Sequence, residues 1–487
     1  MNRKLRKYYK YHYWELLDFR YRLYLLGKER DLNKRVHISA NLIHKASNCG
    51  LGIYACPELE QPFLDLSRTI ITPQKRRYES NSFLHVMTQA YTTGGHTRIV
   101  ERWIETASIE QKHSIVLLNQ GQTQFPSSLN FITKKHNGKV IIFEENSLVE
   151  RAARLRNIAL DYEYVILHIH MDDPTSIVAF GTEEFTRPVI LFNHADHSFW
   201  CGVSIVDMLA DLRDSNFANE RRGIINKYTI RIPFEPNPAF LNYYKTKKQS
   251  RIDLGLPLDK KIILTVGNKD KFQTIGGCDY CSVLSKVISK MDNVVCYGIG
   301  PTIDVGTWRE HREQFVAIGN VDYGVKYYDF LNACDVYVNS IPIGGGVAIL
   351  DAIQFQKPVL QYSLFRDSLG EIIRGIETVY DIEIFNERLK CILLSEKYAN
   401  EYAKEQYNQV IKNHGICNWR KNIDAMLKNV PKTHKIKVIK KTKPIIDDLA
   451  IMISCWCKYV FEPKCSCLSI IYHFIKMKFD VIIQKII

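Results

Sequence analysis

With 487 residues, 46% of them hydrophobic and 24% charged, the chain has the bulk for about three folded units; 25 Gly and 16 Pro are too few for a collagen-like or low-complexity protein. Its net charge of +14 sits at the ends, because residues 1–40 and 431–487 each hold eleven Lys or Arg against four acids and 41–430 is neutral. A neutral body argues against a nucleic-acid track, so any anionic surface is met by the termini.

The opening MNRKLRKYYK continues into Glu15, Asp18, Arg20 and Arg22, which predicts a basic, aromatic helix over 4–28 and no secretory signal. The following residues carry no clear pattern, and 1–80 reads as a basic N-terminal extension. From Asn81 the rhythm is regular: strands at 84–90, 114–119, 139–143, 164–170 and 188–193, with helices at 97–107, 148–160 and 175–180. Strands that are apolar on both faces and alternate with helices imply a parallel sheet covered on two sides, so 81–245 is expected to be a Rossmann-like domain. A polar linker at 242–251 precedes a second cycle, 250–430, with strands at 261–266, 294–298, 314–318, 336–338 and 358–361 and helices at 279–291, 327–334 and 347–355. Helices at 386–412 and 419–428 close it.

The tail, 431–487, opens with HKIKVIKKTK after Pro431 and Thr433, then gives apolar runs at 449–461 and 468–487 interrupted by Lys458, Lys476, Lys478 and Lys485. That pattern is amphipathic and interfacial instead of spanning, and no run approaches the roughly 18 apolar residues a crossing helix needs. Thirteen cysteines without framework spacing fit a reduced, cytosolic setting. Cys278 and Cys281 have redox or zinc-knuckle spacing with no second pair at a finger-like interval, while Cys455, Cys457, Cys465 and Cys467 leave zinc, lipid attachment and apolar roles open.

Chemistry concentrates in four loops. In DVYVNSIPIGGGVAILDA (335–352) a strand leads through Gly344, Gly345 and Gly346 into a helix. Glycines let backbone approach a bulky anion, and the free N–H groups of the helix's first turn donate to it. Asp351 is placed for hydroxyl groups such as a ribose's. The second cluster is NHADHSFW (193–200), after a predicted strand, where His197 first and His194 second are candidates to act near neutral pH as a base or to hydrogen-bond a hydroxyl; ordering the loop is the alternative. His168 and His170 share one strand face beside it. Asp172 and Asp173 are a cation pair or a helix cap, and Arg213, Arg221 and Arg222 gather an anionic acceptor or form a salt-bridged face.

The glycine segment, VGNKDKF (266–272), GIGP (298–301) and the Gly94-Gly95 loop together resemble a GT-B fold glycosyltransferase of the bacterial retaining type, family 4 or group 1. The resemblance covers about 81–430. It implies an α/β chain with two Rossmann-like domains facing each other across a cleft, the nucleotide-sugar donor lying mostly on the second. By position it assigns Gly94 and Gly95 to the loop facing the donor diphosphate, Lys271 to the basic residue that contacts it, Gly344, Gly345 and Gly346 to the phosphate or sugar, and Asp351 to the ribose; a first-domain histidine lies near the reacting sugar. Many retaining members carry two glutamates around this loop; here those positions are Ile343 and Asp351, which leaves the stereochemical outcome open.

The implied activity is hexosyl or N-acetylhexosaminyl transfer from a nucleotide-diphosphate sugar to a glycan, lipid-linked or peptide hydroxyl, as in bacterial surface polysaccharide or lipopolysaccharide assembly. It needs no cofactor and no metal, uses no nucleic acid, and places the protein in the cytoplasm, peripheral on the inner face of the plasma membrane through its basic ends. Two rivals are a non-catalytic nucleotide-binding partner of another transferase and, more remotely, a nucleic-acid binder.

Overall fold

The structure, a computed structural model, describes residues 6–439 apart from stretches at 74–76, 93–94, 216, 225, 236–242, 304, 306, 309–312, 323 and 366–370, together with 443–444, 450–451 and 454. Gly94, the four cysteines from 455 to 467 and, apart from 450–451 and 454, the apolar runs of the tail lie outside the described residues. The described chain divides into a first unit, residues 7–230 with 420–439, and a second unit, 231–419.

In the first unit, helices α1 (Arg6–Lys28), α2 (Leu32–Asn48) and α3 (Pro57–Ser67) precede β1 (Glu79–Met87), α4 (Gly95–Glu105), β2 (Lys112–Leu117), α5 (Ser127–Lys135), β3 (Val140–Ile142), α6 (Leu148–Ala159) and β4 (Tyr162–His168). Then come α7 (Thr175–Phe180), β5 (Val189–Asn193), β6 (Met208–Asp211), α8 (Phe217–Arg222) and β7 (Lys227–Thr229). The strands form one parallel sheet in the order β3-β2-β1-β4-β5-β6-β7. That order reverses direction between β1 and β4, and ligands bind at the carboxyl ends of strands at such a point.

The expected boundary at residue 80 does not appear in the packing. Leu16, Phe19 and Leu26 of α1, Leu42 and Ile43 of α2 and Phe63 of α3 share one core with Val165, Leu167 and Leu191 of the sheet. Charge is buried with them: Lys45 Nζ lies 2.6 Å from Glu15 and 2.5 Å from Asp18. Burial alone would lower its pKa, but the two carboxylates hold it above the ordinary lysine value. Arg156 of α6 is fully buried and forms no ion pair among the described residues. It donates to the carbonyls of Ser67 (2.9 Å), Ile70 (2.7 Å), Val178 (3.0 Å) and Ala179 (2.6 Å), tying the ends of α3 and α7 to α6. Arg156→Met removes a donor from four buried carbonyls, of which Ser67 O keeps the Ile70 N–H, and is expected to cost about 2–3 kcal/mol, read as a fall in urea midpoint at unchanged slope.

The second unit contains α9 (Lys247–Asp253), β8 (Lys261–Val266), α10 (Tyr280–Ile288), β9 (Val294–Ile299), β10 (Phe315–Gly319), α11 (Val325–Ala333) and β11 (Val336–Val338). It continues with α12 (Val347–Gln354), β12 (Val359–Tyr362), β13 (Thr378–Val379), α13 (Ile382–Leu394) and α14 (Glu396–His414). Its parallel sheet runs β10-β9-β8-β11-β12-β13, with the reversal between β8 and β11. Cys278 and Cys281 are buried among its core residues. The single helix expected over 386–412 is two, because Ser395 ends α13 and caps α14 by accepting from Tyr398 N. The GIGP loop has a packing reason: Gly300 sits at φ +102°, and a Cβ there would lie 1.8 Å from the Gly267 carbonyl oxygen.

Helix α15 (Ile416–Asn429) leads from the second unit into the first, and the start of the expected free tail docks onto the first unit. His434, fully buried, places Nδ1 2.7 Å from Asp207 Oδ2 and Nε2 3.0 Å from the Phe180 carbonyl; Lys435 N and Lys437 N donate to Asp207 Oδ1 and Ser204 O. The backbone of HKIK is therefore fastened before the basic run reaches Lys440.

Candidate functional site

In the second unit the switch point brings together the two loops singled out by sequence. After β8 the chain makes a short 3-10 turn, Lys269–Phe272, whose Asn268 cap leaves Lys271 leaning over the glycine loop that follows β11. Lys271 Nζ lies 3.5 Å from the Gly344 carbonyl, and a Cβ built on Gly345 would sit 3.0 Å from that nitrogen. Among the described residues no carboxylate pairs with Lys271, and burial lowers its pKa. A partly desolvated cation with no counter-ion is a site for an anion.

Asn339, buried at the end of β11, shapes the loop. Its Oδ1 accepts from Ser340 N (3.0 Å) and Gly345 N (3.1 Å), and its Nδ2 donates to Gly345 O (3.0 Å) and Gln361 Oε1 (2.8 Å). Gly345 N–H is thus committed. The donors left for an anion are Gly344 and Gly346, which make no backbone hydrogen bond among the described residues, and the first turn of α12. Asp351, one turn into α12, accepts from the Tyr327 hydroxyl at 2.9 Å, which orients the carboxylate. Ile343 supplies only backbone groups: its carbonyl accepts from Ser340 Oγ at 2.7 Å and its N–H donates to the Lys271 carbonyl at 3.4 Å.

In the first unit the carboxyl ends of β1, β4 and β5 gather histidines. Gly95 begins α4, and the next residue, His96, has both ring nitrogens buried beside the backbone of His168. Its ring lies 4.2 Å from that of His194 and 6.2 Å from that of His170, centre to centre, and His170 Nε2 is 3.3 Å from the Tyr91 hydroxyl. His194 Nε2 is 3.1 Å from His168 Nδ1. Burial lowers the pKa of His96 to about 4 and that of His194 well below the histidine value. These rings are neutral at pH 7.

His197 goes elsewhere. Its Nδ1 is 3.4 Å from Asp196, and the residue borders Gly50, Leu51 and Tyr54 of the segment between α2 and α3. The arginines after it clamp this loop. Arg213 Nε is 2.8 Å from Asp196 Oδ2, while buried Arg222 donates to the carbonyls of Asp196 (3.1 Å) and Ser198 (2.6 Å) and stacks on Trp200 and Tyr54. Burial raises the Asp196 pKa, but Arg213 overrides it and the result is about 2. Asp173 caps α7 through Thr175 N (3.0 Å) and accepts from Thr88 (2.6 Å), and Asp172 pairs with His44 at 2.6 Å. No group of three or more His, Cys, Asp or Glu among the described residues is placed to hold a metal ion.

The structure therefore groups Lys271 with Gly344, Gly345, Gly346 and Asp351, and His194 with Gly95's neighbour His96. It sets His197 apart from that cluster. Sequence reading passed over His96, Asn339 and Tyr327. His96 had a signal, since it follows Gly94-Gly95 at a helix start; the other two had none.

No protein-family model and no curated protein sequence matches the chain. Solved structures do. A mutant O-GlcNAc transferase of Thermobaculum terrenum superposes with a TM-score of 0.53 at 9% identity, covering 81% of this chain and 77% of that one. The fold is GT-B. A glycosyltransferase of Rickettsia africae gives 0.51 at 14% identity over 72% of this chain and 100% of its own. HepE of Anabaena, with UDP and glucose bound, gives 0.51 at 13% over 71% and 99%. At these identities the GT-B likeness is one of fold, with the switch points just described at the strand ends of each sheet.

Proposed function

We propose that this GT-B chain is a glycosyltransferase using a nucleotide-diphosphate sugar. The observation that carries the reading is the unpaired Lys271 ammonium above the bare face of Gly345, at the switch point of the second sheet. In the reaction the bond from the anomeric carbon to the diphosphate oxygen breaks with its electron pair going to the diphosphate, and an acceptor hydroxyl oxygen bonds to that carbon and gives up its proton. Lys271, Gly344 N–H, Gly346 N–H and the α12 dipole would stabilise the departing charge, and Asp351 would hold the ribose hydroxyls. Histidines at the strand ends of the first unit would bind or orient oxygen groups of the acceptor or sugar. HepE crystallised with UDP and with UDP-glucose supports a nucleotide-sugar donor.

The wider reading is hexosyl or N-acetylhexosaminyl transfer to a glycan, lipid-linked or peptide acceptor in surface polysaccharide assembly, by a cytoplasmic protein held at the membrane through its basic ends. Among the described residues no helix is long and apolar enough to cross a membrane. The fully committed Gly345 N–H and the missing acid at Ile343 favour one second reading, a nucleotide-binding partner without turnover.

A thermal-shift panel of nucleotide sugars tests the proposal. A donor at a hundred times its Kd adds about 2.7 kcal/mol and raises Tm by a few degrees. A panel in which no nucleotide sugar shifts Tm sinks it, and a shift without sugar release selects the scaffold reading.

A further inference from the structure

Four histidines of the first unit form a continuous hydrogen-bonded line across the sheet. His113 Nδ1 is 2.9 Å from His85 Nε2, His85 Nδ1 is 3.2 Å from His168 Nε2, and His168 Nδ1 is 3.1 Å from His194 Nε2. The strand register makes the line. On β1, Phe83 pairs with His113 of β2 and Met87 pairs with His168 of β4, so His85 lies two residues above one histidine and two below the other. Residues two apart share a sheet face, and diagonal neighbours on adjacent strands are within reach of ring side chains. His194, just past β5, continues the climb to the carboxyl edge of the sheet. Phe83, Trp103 and Phe192 pack the rings, and His113, His85 and His168 are fully buried.

Each of the three contacts needs one proton, and each neutral imidazole carries one, so all four rings must point the same way along the line. The buried end decides the direction. His113 Nε2 is sealed from solvent and makes no hydrogen bond. A proton there would be a buried donor without an acceptor, which is more costly than a bare lone pair. His113 therefore protonates Nδ1 and donates to His85, His85 to His168, and His168 to His194. His194, occupied as an acceptor at Nε2, carries its own proton on Nδ1.

We infer that His194 serves as a fixed N–H donor toward an oxygen of the bound sugar or acceptor, and that His168, His85 and His113 are positioning residues that set its tautomer. The inference rests on the reading above only in placing His194 at a ligand site. In this arrangement His194 is no general base; its nearest imidazole neighbour is His96, 4.2 Å away centre to centre. The charged or titratable groups bearing on the line are His136 and Arg420 near His113, and His96 and His170 near His194. All are cationic or neutral, so nothing among them draws a second proton onto the array.

The test is nitrogen-15 NMR of the histidine rings in the full-length protein labelled only at histidine. The expected result at pH 7.5 is a pyrrole-type Nδ1 and a pyridine-type Nε2 for His194, assigned by its loss in His194→Gln. His168→Phe removes the donor at Nε2 and is expected to shift His194 toward the Nε2–H form. His113→Phe, at the far end, lifts the constraint on direction and gives a second reading should His168→Phe not fold. An Nε2–H His194 in the unaltered protein, or a tautomer untouched by both variants, overturns the inference. Because no sugar is added, this outcome is independent of whether a nucleotide sugar binds.

Discussion

Lowering the pH from about 7.5 to 5 is expected to unfold the first unit, even though most of its carboxylates stay ionised over that range. Burial depresses the pKa of His85 to about 3 and those of His12 and His96 to about 4, and takes His113, His168 and His194 well below the ordinary value of 6.5. Above pH 6.5 these groups are neutral in both the folded and unfolded chain and contribute no pH dependence. Below it the unfolded chain takes up protons that the folded chain refuses, so stability falls as the pH falls, until the depressed folded values are reached.

Each such group contributes about 1.4 kcal/mol per pH unit in that window, and three acting together give roughly 4 kcal/mol per unit. Over the window from pH 6.5 to 5 three such groups remove roughly 6 kcal/mol and all six up to roughly 12, which is comparable with the about 5–15 kcal/mol a domain has in hand. Asp196, held near 2 by Arg213, titrates too low to contribute. Urea titrations at a series of pH values, followed by fluorescence of Trp103 at 5.7 Å from His85, read the slope. His85→Phe should remove about one proton's worth of it. A midpoint constant between pH 7.5 and 5 rules the account out.

Much of the fold was legible because parallel strands buried on both faces are near-continuous apolar runs. HVM, IVL, YVIL and VILF in the first unit, and KIILTV and VVCYGI in the second, gave strands within three residues of those observed, except that β1 starts five residues earlier than expected. What escaped notice lacked that signal. β6 has only four residues, MLAD, and β13 two. α3 carries Pro62 and a buried Glu60 on its inner face, where Glu60 accepts from the N–H groups of Gly202 (2.8 Å), Val203 (3.0 Å) and Ser204 (3.0 Å). A proline and a buried acid erase the amphipathic pattern that marks a surface helix.

The site was legible to the same uneven degree. Gly344, Gly345, Gly346 and Lys271 stand at loops directly after strands, where the chemistry of an α/β sheet is found, so local sequence sufficed. Asn339 reads as the last residue of a strand, and its four hydrogen bonds close on a loop, a strand and itself only after folding. His85, His113 and His168 look like strand interior; their alignment depends on a register between β2, β1 and β4 that no single segment encodes. Arg222 shows the converse, since its charge suggested an anionic acceptor or a salt-bridged face, while the structure spends it on the carbonyls of Asp196 and Ser198.

The second large effect concerns Lys271. Replacing it by Ala is expected to weaken binding of the best nucleotide sugar found in the panel by about a hundredfold, roughly 2.7 kcal/mol, and to lower kcat/KM by at least as much. The size follows from the lack of any carboxylate partner among the described residues: the full charge of a half-buried ammonium is available to a ligand, with part of its water already removed. Lys269, exposed in the same turn, is the control, and Lys269→Ala should leave affinity unchanged. Gly345→Ala approaches the same point from the loop side. Its φ is not in the left-handed region, so the backbone tolerates a side chain, but the added methyl would stand 3.0 Å from Lys271 Nζ, shift the ammonium by a few tenths of an ångström and cover the loop face that an anion would approach. Both variants should therefore fold with nearly native Tm and lose nucleotide together. Should Lys271→Ala bind the donor as tightly as the parent chain, the diphosphate is not held here, whatever the fold binds elsewhere.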